Sequence, residues 1–331
     1  MIAVAQQEKN YALSARAFPF SYQSLEIKSG SRPIGFRFSK SITDITAVLN
    51  GQKILVCGED ENHGISFDKA HSELAERSAL LTYGMSFGAK TSNGWAAHPD
   101  RDHTRANAIY EIIERDAVLA QWYSSTSFLE IPKEEMPIDI QQWASVELHR
   151  SEFPILKLLV STMGIGPSVT CILMNEKGFG VSAHATKESL SKSIESAIAE
   201  ACRAAHLSLR RSFWKDSLKL KDGSHDFVDP SAHSLFYAYH EKFPEWMFGN
   251  FQSYKWLKKD WTLRLEAALA DKRFQFTQVM EQPVCVGFAQ HPLAFELRWQ
   301  FTNLKLVSME MAFHRLNLTK EEINTKPHIV S

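Results

Sequence analysis

Two stretches of the chain carry the same spacing, Glu-x-x-Glu-Arg: Glu73-Leu-Ala-Glu76-Arg77 and Glu111-Ile-Ile-Glu114-Arg115. On an α-helix that spacing puts both carboxylates on one side, one turn apart. Around the second copy, Pro99-Asp100 reads as a helix start, because the Asp100 carboxylate can accept the unpaired N–H groups of the first turn. His103 then takes the third helical position. Ile109, Ile112, Ile113 and Ala117 recur at helical spacing as a core face, while His103, Asn107, Glu111 and Glu114 line another stripe. The first copy repeats the pattern with Ala70, Leu74 and Leu81 as its apolar face. Taken singly, each helix reads as an amphipathic surface helix with an internal ion pair such as Glu111 to Arg115, worth roughly a few tenths of a kcal/mol. The repetition points further. Spacing does not show that the two helices face each other; if they did, four clustered glutamates would raise one another's pKa, a conflict that Mg2+ resolves because it takes carboxylate oxygens together with substrate phosphates.

Composition narrows the partners. Lys plus Arg (37) nearly balances Asp plus Glu (38), a net charge of −1, so nothing global attracts nucleic acid or a membrane surface. The start, MIAVAQQEKNYALSARAF, meets Gln and Glu too early for a signal-peptide core, and no later stretch is long and apolar enough to suggest a membrane span, so the cytoplasm is the expected location. Cys57, Cys171, Cys202 and Cys285 lack any C-x-x-C spacing and read as buried, inert thiols.

Residues 1 to 50 read as an N-terminal arm with the first strands, and 51 to 331 as the main domain. Weak periodicity over 1 to 32 predicts a loosely packed arm. Strands are predicted at 33 to 39 and 44 to 58, with Asn50-Gly51 as a tight hairpin turn. Residues 58 to 64 read as a loop and 130 to 140 as a connection. The runs 153 to 164 and 168 to 175, with a short strand ending near His184, predict a β-meander. A helix from Lys187 to Leu209 follows, burying Leu190, Ile194, Ala197, Ile198, Ala201 and Ala205. A further helix is expected at 258 to 271, then strands at 274 to 280 and 283 to 289. The fold class is therefore α+β, with helices covering antiparallel or mixed sheets.

The paired Glu-x-x-Glu-Arg helices and the loop Ser92-Asn93-Gly94 together resemble the YcaO family of ATP-dependent peptide-modifying enzymes. Gly178-Phe-Gly180, His184 and the helix through Ser193, Glu195, Ala197 and Glu200 resemble the family's third signature. The segment 229 to 239, DPSAHSLFYAY, is similar to one in its azoline-forming members, and the end around Pro327 and His328 to a degraded form of their proline-rich tail.

What the resemblance implies is a YcaO-like fold, ATP and Mg2+ as cofactors, and activation of a backbone amide in a ribosomally made precursor peptide. A Cys, Ser or Thr nucleophile adds to the amide, the oxyanion is phosphorylated by ATP, and phosphate leaves, giving an azoline or a related product. Glu73, Glu76, Glu111 and Glu114 would hold Mg2+. Ser92, Asn93, Gly94, Arg115 and Glu200 would join them around the nucleotide, and Pro327 and His328 are the candidates at the catalytic end. The resemblance further implies a separate leader-peptide-binding subunit related to ubiquitin-activating enzymes, and a homodimer or hetero-oligomer. The chain departs from the pattern at His103, where an acid is common, at Pro99 in place of a small polar amide, at Ser196 in place of a phosphate-binding Arg, at Arg203 in place of Gln, and in its tail. These departures support the alternative of a diverged scaffold that binds peptide or partner without turning over ATP.

Other features read more plainly. HPDRDH (98 to 103) can be taken as a metal cluster or as helix capping and loop solvation, and the latter is preferred. Gly164-Ile-Gly166 and Gly178-Phe-Gly180 fit turns between strands. Trp95 is read either as core or as a contact for adenine or peptide.

Overall fold

The structure is a computed structural model that describes residues 17–31, 41–87, 92–208, 236–249, 261–295, 314–319, 322–324 and 329. It divides into two compact units, Met1–Ala108 with Gln275–Ala289, and Ile109–Phe274 with Gln290–Ser331. Among the described residues no helix is long and apolar enough to cross a membrane.

In the first unit, strands β1 (Ser24–Ser31), β2 (Ser41–Leu49) and β3 (Gln52–Asp60) form an antiparallel sheet in that order. Asn50 and Gly51 turn the β2–β3 hairpin at φ 51° and 74°, the pair of positive values that a two-residue type I′ turn needs. Helix α1 (His63–Tyr83) lies on this sheet and buries Ala70 and Leu74 against Ile45, Ala47, Ile54 and Val56. Contact is close because small residues face the strand: a β-carbon on Gly58 would sit 1.9 Å from the Ser66 carbonyl oxygen. Farther along α1, Ala75 and Ala79 pack with Trp95, Val286 and Phe288 of a second sheet, ordered β4 (Trp95–His98), β10 (Cys285–Gln290), β9 (Gln275–Met280).

Two expectations change here. The segment 17 to 31 is no loose arm: β1 pairs along its whole length with β2, and the Tyr22 hydroxyl is 2.9 Å from that of Ser78 on α1. Nor do residues 58 to 60 belong to a loop, since they pair with Ser41 to Thr43, and Asn62 caps α1 by accepting the Gly64 N–H at 2.7 Å. The predicted strand at 33 to 39 lies outside the described residues.

The second unit holds an antiparallel meander, β5 (Leu129–Glu130), β6 (Ile155–Val160), β7 (Val169–Met174) and β8 (Gly180–Ala185), in that order. Its two faces are both covered, so β7 and β8 are buried almost throughout. Side chains alternate accordingly. Cys171 lies beside Cys202 of α4 (Leu190–Ser208), whereas Ile172 joins the apolar cluster of Val118, Leu119 and Trp122 on α2 (Arg101–Tyr123). Each large side chain so buried contributes about 1.5–3 kcal/mol. The predicted face of α4 is buried, and so are all four cysteines. Helix α3 (Ile138–Val146) interrupts the expected connection after Pro137, with Ile140 and Trp143 buried. Helix α5 (Trp261–Ala270) falls within the stretch predicted as helical. The mixed α+β architecture with helices over antiparallel sheets is thus present.

Candidate functional site

Helix α2 begins as the sequence suggests. Asp100 Oδ1 accepts the His103 backbone N–H at 2.8 Å, and the Thr104 hydroxyl donates to the Asp100 carbonyl at 2.8 Å. The cap also engages the His103 ring, whose Nδ1 lies 2.8 Å from Asp100 Oδ1, and these contacts hold the Asp100 carboxyl below the usual carboxylate range. His98 Nδ1 accepts the Asp100 N–H at 3.0 Å, so His98, Asp100 and His103 bring ligand-type atoms within 4.8 Å of one another at an exposed corner. Capping and clustering thus occur together.

Just upstream, Gly94 is buried at φ 75°, a conformation that side-chain-bearing residues rarely adopt, and its carbonyl accepts the Ala289 N–H at 2.9 Å. This pins the Ser92-Asn93-Gly94 turn to the end of β10, with the Ser92 and Asn93 side chains half-buried. Trp95 does not extend into solvent for a ligand. It is buried and stacked on Phe288 at 4.9 Å, which settles its role as core.

The two Glu-x-x-Glu-Arg copies differ in their surroundings. On α1, Arg77 stands 3.8 Å from Glu73 with a side chain well exposed to water, a weak pair. Glu76 is half-buried on the same helix. On α2, Arg115 is buried and its Nη2 meets Glu111 Oε1 at 2.6 Å, so that charge-assisted bond operates in a lower dielectric.

Glu114 is the centre of the second unit's polar cluster. Its Oε2 accepts the Thr186 backbone N–H at 2.9 Å. The residue keeps a partly open side by accessible area. Even so, burial of the carboxyl, followed by repulsion from Glu200 of α4 and from Glu111, pushes its pKa up to about 8, against the pull of Arg115 and Lys187. Glu111, Glu114, Arg115 and Glu200, drawn together from sequence, therefore do share one neighbourhood, in which Glu200 is exposed. A divalent cation would relieve this crowding of carboxylates, and hard oxygen donors suit Mg2+, so the donor set fits that ion. Glu73 and Glu76 lie on α1, in the first unit. Pro327 and His328 lie outside the described residues.

Sequence reasoning missed the contributions of Ser168, Thr170, Ser182 and Thr186. These line one face of β7 and β8 and their continuations: Ser168 and Thr186 hydroxyls lie 2.7 Å apart, and the Thr170 hydroxyl is 2.8 Å from His184 Nδ1. His184 is buried in this row, and burial, with Arg115 nearby, lowers its pKa to about 4, so it is neutral. A signal existed in the alternation Ser182-x-His184-x-Thr186, polar residues at period two in an otherwise apolar strand.

A family model described as YcaO cyclodehydratase, ATP- and Mg2+-binding, matches residues 71–284. Among solved structures, a heterocyclase in complex with substrate and cofactor superposes with a TM-score of 0.61 at 10% identity over 92% of this chain, and this chain spans 55% of that one. The E. coli microcin synthetase McbBCD complex superposes with a TM-score of 0.50 at 11% identity, over 80% of this chain and 86% of the matched one. No curated protein matches by sequence. At these identities the structural likeness is one of fold.

Proposed function

From the premise that the chain belongs to the YcaO family, whose cofactors are ATP and Mg2+, we propose that it activates a backbone amide of a ribosomally made precursor peptide, closing a Cys, Ser or Thr onto it as an azoline. The observation that carries this reading is the Glu114 carboxyl, held by the Thr186 N–H among Glu111, Glu200 and Arg115, in a crowding that a divalent cation would relieve. When bound, Mg2+ and ATP supply the phosphoryl group that makes the amide oxygen a leaving group.

The chain's own residues act as follows. Glu111 and Glu114 are proposed metal ligands, with Glu73 and Glu76 added to that role by the family resemblance. Arg115 fixes the Glu111 carboxylate through its 2.6 Å bond. The Thr186 N–H orients Glu114 and stabilises its ionised form. Glu200 adds negative charge and hydrogen-bond capacity, and Ser92, Asn93 and Gly94 are proposed to line the nucleotide.

The reaction is proposed to occur in the cytoplasm on a bacteriocin-like precursor, with a leader-binding subunit related to ubiquitin-activating enzymes, in a homodimer or a hetero-oligomer. The microcin synthetase similarity supports a multi-protein setting. A second reading, a diverged scaffold without ATP turnover, is favoured by His103: its imidazole, standing where an acid is common in the family, is taken up by Asp100. Calorimetric titration with a non-hydrolysable ATP analogue, with and without Mg2+, separates the two. Tight Mg2+-dependent binding that Glu114→Gln abolishes supports the enzyme; absence of binding by the folded chain supports the scaffold.

A further inference from the structure

The row of buried polar groups on β8 ends on a feature that the proposed chemistry does not use. The carbonyl of Ile329, near the end of the chain, accepts two hydrogen bonds from that strand: Ser182 Oγ donates at 2.9 Å and His184 Nε2 at 3.1 Å. All three residues are buried, and more than a hundred residues of sequence separate the carbonyl from its donors. The tautomer follows from the partners. Since a carbonyl can only accept, Nε2 carries the proton, and Nδ1 is left to accept from the Thr170 hydroxyl at 2.8 Å.

The Ile329 side chain is fastened as well, within the apolar cluster that includes Val118 of α2. Val118 lies one helical turn beyond Glu114. On the strand side, Ser182, His184 and Thr186 follow at period two, and Thr186 is the residue whose N–H holds the Glu114 carboxylate. One backbone carbonyl near the end of the chain is thereby tied, through two residues of strand, to the orientation of the central carboxylate.

We propose that Ser182 and His184 are positioning residues: their two hydrogen bonds to the Ile329 carbonyl fasten that residue to β8, so that Ile329 and the Glu114–Thr186 contact set each other's geometry. A buried carbonyl that loses both donors is left unsatisfied, at a cost comparable to a lost hydrogen bond for each group, so the coupling is strong enough to measure. The functional half of this inference rests on the nucleotide-binding reading above. Its structural half does not.

The test uses the full chain, the variants Ser182→Ala, His184→Leu and His184→Gln, and a chain ending at residue 328. Two readouts are taken: hydrogen exchange at the Thr186 amide, and the Kd for a non-hydrolysable ATP analogue with Mg2+. Truncation and His184→Leu should each speed Thr186 exchange about tenfold and weaken binding about as much, the effect of one buried hydrogen bond. His184→Gln, whose amide nitrogen can stand where Nε2 does, should restore most of the wild-type values. Combined with the truncation, His184→Leu and Ser182→Ala should add nothing further, because their shared acceptor is gone. Effects that multiply instead, or Thr186 exchange unchanged by truncation, would overturn the proposal. If His184→Leu fails to fold, Ser182→Ala and the truncation carry the same comparison. Lack of analogue binding by the wild-type chain would refute the nucleotide reading, while the exchange measurements would still decide whether the end of the chain governs Thr186.

Discussion

Replacing Glu114 by Gln keeps the side chain's shape and an acceptor for the Thr186 N–H while removing its titration. The carboxyl's pKa is raised from 4.5 to about 8, first by burial and then by Glu200. An acid whose folded-state pKa lies above its unfolded value binds more protons when folded, so the stability it confers is fully present below pH 4.5 and is lost as pH rises through about 8. The slope within that window is at most about 1.4 kcal/mol per pH unit. Summed across the window this approaches about 5 kcal/mol, and the open side of Glu114 reduces the expected loss to about 2–3 kcal/mol. Urea unfolding of the metal-free chain from about pH 5 to about pH 8.5 measures it directly. Wild type and Glu114→Gln should agree within error at the acid end, and the variant should be the more stable by about 2–3 kcal/mol at the alkaline end. Mg2+ added at the alkaline end should stabilise the wild type and leave the variant unmoved. Parallel curves for the two proteins across the whole range would refute the assignment of a crowded, proton-binding carboxyl to this position.

Three further outcomes are expected from the packing. Gln121, fully buried, accepts from the Ser161 hydroxyl at 2.6 Å and donates to the Ser127 carbonyl at 2.6 Å. Gln121→Leu should therefore lower the urea-derived stability by about 3 kcal/mol, because several buried groups lose their partner together. Asp116 accepts the Phe295 N–H at 2.9 Å and pairs with Arg315, which also lies over the Phe295 ring. Asp116→Ala should cost about 1–3 kcal/mol, and Arg315→Ala should add little once Asp116 is gone; full additivity in that double-mutant cycle would count against the pairing. Gly58→Ala places a methyl group 1.9 Å from the Ser66 carbonyl oxygen and 2.4 Å from the Ala70 nitrogen, both backbone atoms. A loss of about 3 kcal/mol or more, read as a fall in thermal midpoint, is expected, and an unchanged midpoint would mean that α1 does not approach β3 so closely.

Features written in local chemistry were legible from the sequence. Asp100 caps α2, Asn50-Gly51 turns the hairpin, and Glu111 pairs with Arg115 one turn on. In each case the partner atoms lie within a few residues, and the side chain carries its own geometric preference. The β-meander and the buried face of α4 were equally clear, because hydrophobic periods of two and 3.6 residues hardly depend on what covers them. Joining Glu200 to Glu111, Glu114 and Arg115 required the family resemblance, since no spacing links α4 to α2.

Tertiary structure decided the rest. The chain segment at 17 to 31 has little periodicity of its own and becomes ordered by pairing with β2, and residues 58 to 60 are drawn into β3 by the same sheet. Trp95 is core because Phe288 arrives from a distant strand. Above all, the groups that meet Glu114, Ser182 and His184, namely the Thr186 N–H and the Ile329 carbonyl, belong to the backbone. Every residue but proline offers that donor and every residue that acceptor, so the sequence by itself determined which carboxylates and imidazoles were available, and only the fold decided which backbone groups they would meet.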